Sequence, residues 1–176
     1  PMGTIAVILR YVTTPNGTHH IICQGQERFR ISGYLDGFPF LVARIERLAE
    51  QTGAGDEEIE ARFIQLRERA VEVLTLLPDV PTEMVAAVRS IEAPATLADL
   101  VAWYLDIKPE EKQELLEEID LRKRLDRLLA MAAHRIQVMQ ISREIDQRTK
   151  ASVGKREREF LLREQMKAIQ KELGED

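Results

Sequence analysis

The sequence has little of what builds disulfides, membrane spans and aromatic cores. Cys23 is the single cysteine among 176 residues, so no disulfide can form within the chain, and a reducing compartment fits this composition. Aromatic residues make up only 5% of the chain. The sequence also lacks an apolar run of ~18 residues, which predicts that no segment spans a membrane.

Basic residues are outnumbered, and the net charge is -5. A negative net charge disfavours a nucleic-acid-binding domain, because such domains gain affinity from Lys and Arg contacts to phosphates. The acidic excess lies before residue 110, whereas residues 110–176 carry equal numbers of both signs. Balanced mixed charge is typical of a solvated helix with pairs at i,i+4. The chain is 44% hydrophobic, which allows a sizeable core.

The first fifty residues carry β patterns. Ile5, Val7 and Leu9 alternate with their neighbours, and Asn16-Gly17 then separates this run from HHIICQ. Asn-Gly between apolar runs is a strong hairpin signal. The runs ERFRISGYL and PFLVARIERLAE predict a third and a fourth strand. Because four strands are too few to close a barrel, we expect further strands to complete this sheet.

After a linker, QTGAGD, the pattern is helical. Asp56 is the predicted N-cap of a helix that Pro78 ends. Thr96 and Asp99 predict a capping box for the segment TLADLVAWYL. Pro109 has the position of a proline in the first turn of a further helix.

From Leu121 onward no proline interrupts the chain. Apolar residues at helical spacing predict an apolar stripe, and Gly154 predicts a kink or break further along. The closing residues step by four, three and four, as a and d positions of a coiled coil do. A continuous helix over 121–173 would be about 80 Å long, so we expect part of it to project. The two stripes consist of Leu121, Leu125, Leu128 and Ala132, and of Leu162, Met166, Ile169 and Leu173.

The closing segment REREFLLREQMKAIQKELGED resembles the end of the amino-terminal region of Lon-family ATP-dependent proteases. Two upstream segments, LADLVAWYLDIKPEEKQELLEEIDLRKRLDRLL and GTIAVILRYVTTPNGTHHIICQGQERFRI, are similar to the helical bundle and the small β domain of that region. The likeness covers essentially the whole chain. Phe160 and Leu161 replace a tyrosine pair common in the family, and Val153 stands about where many members have Met.

The resemblance implies an α+β fold with three parts. Residues 1–50 would form the second half of a PUA-like antiparallel β domain without its opening strands. Residues 51–120 would form a helical bundle. Residues 121–176 would form a long projecting C-terminal helix that leads to an ATPase module absent from this chain.

The resemblance also implies a parent enzyme that degrades proteins with a Ser-Lys protease domain and ATP and Mg, assembled as a hexamer. Its amino-terminal region would bind unfolded or damaged protein substrates and contact sister protomers. The expected compartment is the bacterial cytoplasm.

The chain itself carries no predicted catalytic, cofactor-binding or metal-binding residues. The segment SVGKR has one glycine, and Arg156 stands where a phosphate loop needs a hydroxyl. Lys150 and Ser152 are two residues apart and would face different sides of a helix. His19 and His20 are adjacent, so on a strand they point to opposite faces and could not both bind one ion.

Two apolar sets are the candidate partner or substrate surfaces. The first set consists of Phe38, Pro39 and Phe40. These residues could contact substrate or pack in the core. The stripe in the second set could bind a sister helix, fold back on its own bundle, or meet unfolded substrate. Besides substrate recognition, a purely structural oligomerisation module also fits the sequence. The second set comprises Val153, Phe160, Leu161, Leu162, Met166, Ile169 and Leu173.

Overall fold

The structure, a computed structural model, describes residues 1–50 and 53–173, without the side chains of 151–157 and 168–173. It has the predicted α+β class, with an antiparallel sheet followed by helices. In chain order the described elements are β1 (Met2–Thr13), β2 (His19–Leu35), β3 (Val42–Leu48), α1 (Glu57–Leu76), α2 (Thr82–Arg89), α3 (Pro94–Tyr104), α4 (Pro109–Glu117) and α5 (Leu121–Leu173).

The chain divides into two compact units, Pro1–Ala133 and His134–Asp176. The first unit contains the sheet, α1 to α4 and the first turns of α5. The second contains the rest of α5. The three-part division at residues 50 and 120 stays a prediction.

The sheet has the strand order β1-β2-β3, and both pairings are antiparallel. The predicted Asn16-Gly17 hairpin is confirmed: Thr13 pairs with His19, and the amide of Gly17 donates to the carbonyl of Thr14 at 2.9 Å. Gly17 has a φ of +81°. Residues other than glycine rarely adopt this backbone conformation, so the turn favours glycine at this position.

The prediction of four strands is wrong, because its second and third strands form one strand, β2. Only Gly25 and Gln26 lie between the two predicted strands. The pairing with β1 shifts there, since Ile5 pairs with Glu27 and Ala6 with Gly25. The extra residue is therefore accommodated in a β-bulge, which lets a strand continue through a polar, glycine-containing segment.

Most predicted helix starts are confirmed. The Asp56 carboxylate accepts hydrogen bonds from the amides of Glu58 and Ile59 at 3.1 and 3.2 Å. Pro109 is the first residue of α4. The Thr96–Asp99 capping box is wrong, because α3 already begins at Pro94, whose fixed φ suits the first helical turn.

The core of the first unit lies among the helices. The predicted stripe is confirmed, since Leu121, Leu125 and Leu128 are fully buried and Ala132 nearly so. They pack with buried residues of α1, α3 and α4, including Phe63, Leu66, Leu97, Ala98 and Leu115. Helix–helix packing thus provides most of the apolar burial in this unit.

The predicted break at Gly154 is not found, because α5 continues through this position. Glycine costs a helix only about 1 kcal/mol relative to alanine, and the following Lys155, Arg156 and Glu157 favour helix. The C-cap predicted at Gly174 lies outside the described residues.

The pairing of Asp56 with Arg122 makes stability depend on pH. The Arg122 guanidinium donates to the Asp56 carboxylate at 2.6 Å, and this bond lowers the pKa of Asp56 below 3.8. A lowered folded pKa contributes stability that is present above the unfolded pKa and lost as pH falls through the folded value. We therefore expect wild type to exceed Asp56→Asn in stability at neutral pH. The difference should shrink as pH falls below 3.8 and vanish only once the carboxyl group is also protonated in the folded state.

Urea unfolding of both chains at neutral and acidic pH measures this difference. Asparagine still caps the helix, so the comparison isolates the charge. A stability difference of equal size at both pH values would contradict the assignment. Arg122→Gln is the matched control and should lose part of this pH dependence, because the amides of Glu58 and Ile59 still donate to the Asp56 carboxylate.

Candidate functional site

The connection between β2 and β3 exposes a group of apolar side chains, Phe38–Leu41, called here the aromatic turn. The rings of Phe38 and Phe40 have centroids 6.2 Å apart. Phe40 remains 68% exposed and Leu41 90% exposed. Phe38, Pro39 and Phe40 are therefore not packed in a core within this chain, and their contact with substrate stays a prediction. Two rings in contact form a small apolar surface that faces solvent.

The hairpin of β1 and β2 also exposes large apolar side chains. Ile8 and Tyr11 on β1, and Ile21 and Ile22 on β2, are all more than half exposed. Because consecutive strand residues point to opposite faces, Ile21 and Ile22 leave apolar area on both faces. That further strands close this sheet stays a prediction.

In the second unit, the candidate residues whose side chains are described are exposed. Phe160, Leu161, Leu162 and Met166 all exceed half of their full exposure. Leu162 and Met166 lie four residues apart and share a helix face. The side chains of Val153, Ile169 and Leu173 lie outside the described part, so the full stripe stays a prediction. Val138, Ile141 and Ile145 are exposed earlier on the same helix.

An apolar pocket of about 210 Å³ opens between α1, α2, α3 and the start of α5, called here the helical pocket. Buried residues form its floor, and Leu77 and Tyr104 are exposed at it. None of the described residues that line it is charged. This pocket was not predictable from the sequence, because helical periodicity indicates which faces are apolar but not where small residues leave space. Residues that line it include Leu74, Leu77, Met84, Ala87, Tyr104 and Ala132.

A larger cleft of about 670 Å³ lies between the sheet and the helices. Two arginines in it are buried: Arg28 on β2 is 8% exposed and Arg124 on α5 is 1% exposed. Both donate to the Glu50 carboxylate, and Arg28 also donates to Asp99. The Nε atoms of both arginines are buried with no hydrogen-bond partner among the described residues. These ion pairs tie the sheet to α3 and α5.

The cleft also exposes an aromatic side chain. Trp103, at the end of α3, is 74% exposed, and the Lys112 Nζ lies 5.7 Å from its ring centroid. Neither residue was among the candidate site residues predicted from the sequence. Helical spacing alone does not tell whether a tryptophan is exposed or lies in the core, so the exposure of Trp103 could not be predicted.

The histidines and the cysteine near the hairpin do not form a metal-binding cluster among the described residues. The His19 Nδ1 lies 2.7 Å from the Tyr11 hydroxyl, and the two rings stack. Cys23 is exposed. Within the described residues, no group of three His, Cys, Asp or Glu side chains could hold a metal ion. The described helices also include none of the length and apolar character needed to cross a membrane.

A profile of the family described as the ATP-dependent protease La (LON) substrate-binding domain matches residues 1–134. This chain belongs to the Lon protease family. The matched residues comprise the sheet, α1 to α4 and the first turns of α5. The resemblance stated from the sequence motifs is therefore confirmed.

Lon proteases from several bacteria match over nearly the whole chain. The Lon protease of Phenylobacterium zucineum is 57% identical over 175 residues, which are 99% of this chain and 22% of that protein. The Lon protease of Paraburkholderia phytofirmans is 48% identical over 99% of this chain and 22% of its own length. The chain thus spans about a fifth of the length of the curated relatives it matches.

Solved Lon structures share the fold. The N-terminal domain of the Mycobacterium avium complex Lon protease superposes with a TM-score of 0.65 at 25% identity, over 75% of this chain and 69% of that one. The Lon N-terminal domain protein from Xanthomonas campestris gives a TM-score of 0.52 at 19% identity, over 73% and 66% of the two chains.

The match to the Lon profile separates the candidate surfaces. The aromatic turn, the helical pocket and the cleft lie within residues 1–134, whereas Phe160, Leu162 and Met166 lie beyond them. The matched residues thus include the first three surfaces and do not include the stripe on α5.

Proposed function

We propose that this chain binds unfolded or damaged protein substrates on behalf of a Lon-type protease. In this proposal the chain is not itself catalytic. ATP, Mg and the Ser-Lys peptidase chemistry belong to parts of the longer parent, a hexamer in the bacterial cytoplasm. The α5 helix contacts sister protomers and helps to organise that hexamer.

The observation that carries the proposal is the aromatic turn. An unfolded polypeptide differs from a folded one chiefly in the apolar side chains it presents. Phe38, Phe40 and Leu41 offer water-exposed apolar area to such side chains, within residues that match a substrate-binding domain. Burying a large apolar side chain contributes about 1.5–3 kcal/mol, which suits weak contacts repeated over several protomers.

The residues present do not fit a nucleotide site, which supports placing ATP elsewhere in the parent. Ser152–Arg156 provides one glycine and no hydroxyl after the lysine. This segment also lies within the continuous α5 helix rather than in a loop after a strand.

Replacing Phe38 and Phe40 together with serine tests the proposal. We expect about tenfold weaker binding of an unfolded protein, which corresponds to ~1.4 kcal/mol. The probe is reduced, carboxymethylated α-lactalbumin, and native α-lactalbumin is the folded control. The α-lactalbumin probe is acidic, and this chain also has a negative net charge. Attraction between opposite net charges therefore cannot cause the binding that is measured. Fluorescence anisotropy of the labelled probe measures the dissociation constant.

The matched control replaces Phe160 and Leu161 with serine. Phe160 is 64% exposed, close to the exposure of Phe40, but lies outside the matched residues. We expect the control to bind the unfolded probe as wild type does. Equal loss in both variants would indicate nonspecific apolar adhesion. Equal affinity of wild type for the folded and unfolded probes would end the proposal.

A second candidate function is a structural oligomerisation module without substrate affinity. The exposed apolar residues of α5, such as Ile141, Ile145 and Leu162, favour it. A helix with apolar residues at coiled-coil spacing can bury them against a sister helix. Under this alternative, wild type has no preference for the unfolded probe, and the aromatic turn variant behaves as wild type.

A further inference from the structure

The helical pocket has the character of a receptor for one side chain. Its floor includes Leu74, Val88 and Leu105, all buried, and Tyr104 stands exposed at it. The absence of charged lining residues disfavours an ion or a charged side chain, which would lose its hydration without gaining a partner. An apolar occupant loses no such hydration.

The size of the pocket limits the occupant further. Its 210 Å³ is below the ~300–1,000 Å³ usual for sites that enclose a whole small ligand. One bulky side chain of a longer polypeptide fits this volume better than a free molecule does. Met84 is unbranched and flexible, so it can adapt to aliphatic and aromatic side chains of different shape.

We propose that the helical pocket binds a single large apolar side chain, aromatic or aliphatic, of an extended polypeptide substrate. This inference rests on the proposed function, because it takes the occupant to be an unfolded protein. All residues that line the pocket lie within the match to the substrate-binding domain. Anchors of this kind, a bulky side chain in a dry pocket, provide much of the affinity of protein interfaces.

Two neighbouring alanines allow a matched test. Ala87 and Ala86 are both exposed on α2, but only Ala87 lines the pocket. Phenylalanine at position 87 can occupy the pocket or cover it, whereas at position 86 it does not face it. We expect Ala87→Phe to weaken binding of reduced, carboxymethylated α-lactalbumin by about fivefold or more. We expect Ala86→Phe to stay within about twofold of wild type.

A measurement on the unaltered chain makes the test independent of how the variants fold. In chain labelled with ¹³C at methionine methyl groups, the Met84 resonance should shift as the unfolded protein is added. Met166, on α5 and outside the matched residues, is the internal control and should not shift.

The outcomes separate this inference from the proposed function. If wild type binds the unfolded protein, but Ala87→Phe binds equally well and Met84 does not shift, the pocket inference alone is overturned. If wild type does not bind the unfolded protein, both are overturned. A Met84 shift that depends on the concentration of the chain alone would identify a second copy as the occupant, which also contradicts the inference.

Discussion

Glu50→Ala is expected to destabilise the Pro1–Ala133 unit by about 3 kcal/mol. Arg124 is almost fully buried and donates to Glu50, as does Arg28. Without this carboxylate, the one hydrogen bond of Arg124 that remains among the described residues is a 3.4 Å contact from its Nη1 to the Glu118 carbonyl. A buried charge without a partner costs more than the pair contributes, because neither water nor a carboxylate solvates it. Urea unfolding followed by circular dichroism measures the loss.

Glu46→Ala is the matched control, since Glu46 also pairs with an arginine. Its contact with Arg30, at 3.9 Å, joins two exposed side chains. Exposed pairs contribute about 0–1 kcal/mol, so little change is expected. The double variant Glu50→Ala, Arg124→Met should recover part of the loss, because no buried charge then lacks a partner. Equal effects of Glu50→Ala and Glu46→Ala would show that the buried network does not stabilise the fold.

Leu125→Ala is expected to cost about 2–5 kcal/mol, whereas the same substitution at Leu162 should cost less than about 0.5 kcal/mol. Both leucines lie on α5, but Leu125 is fully buried in the helical core and Leu162 is half exposed. Removing a buried side chain loses its transfer free energy and leaves a cavity. Thermal unfolding of the two variants beside wild type gives both differences.

The Leu162 result also bears on the oligomerisation alternative. If Leu162→Ala lowers the melting temperature, and the effect grows with protein concentration, a sister helix covers this residue. An effect that is independent of concentration would instead indicate that the stripe packs within its own chain. Both results would contradict an exposed stripe. Analytical ultracentrifugation at the same concentrations provides the reference for the oligomeric state.

Local patterns predicted the elements well where the determining residues are close in sequence. The hairpin at Asn16-Gly17, the cap at Asp56 and the start of α4 at Pro109 each depend on a few neighbouring residues. The strand count was wrong because only the pairing with β1 shows that the chain continues through a bulge next to Gly25. The start of α3 was wrong because Pro94, whose fixed φ suits the first helical turn, already begins the helix.

The candidate surfaces could be predicted only in part. The sequence identified Phe38, Pro39 and Phe40 as apolar but left open whether they were buried. It did not identify the helical pocket, since that space depends on how α1, α2 and α3 pack. Burial of Arg28 and Arg124 was equally hidden. Their partners lie 71 and 74 residues away, at Asp99 and Glu50.

The sequence by itself determined the class of the fold, the helical stripe at Leu121, Leu125 and Leu128, and membership in the Lon family. These features are periodic or consist of contiguous motifs, so they are present in the order of residues before any tertiary contact forms. Tertiary structure decided which apolar residues stay in water, where the helices leave a pocket, and which charges are buried. Those properties depend on contacts between distant segments, because burial is set by what packs against a side chain and not by its neighbours along the chain.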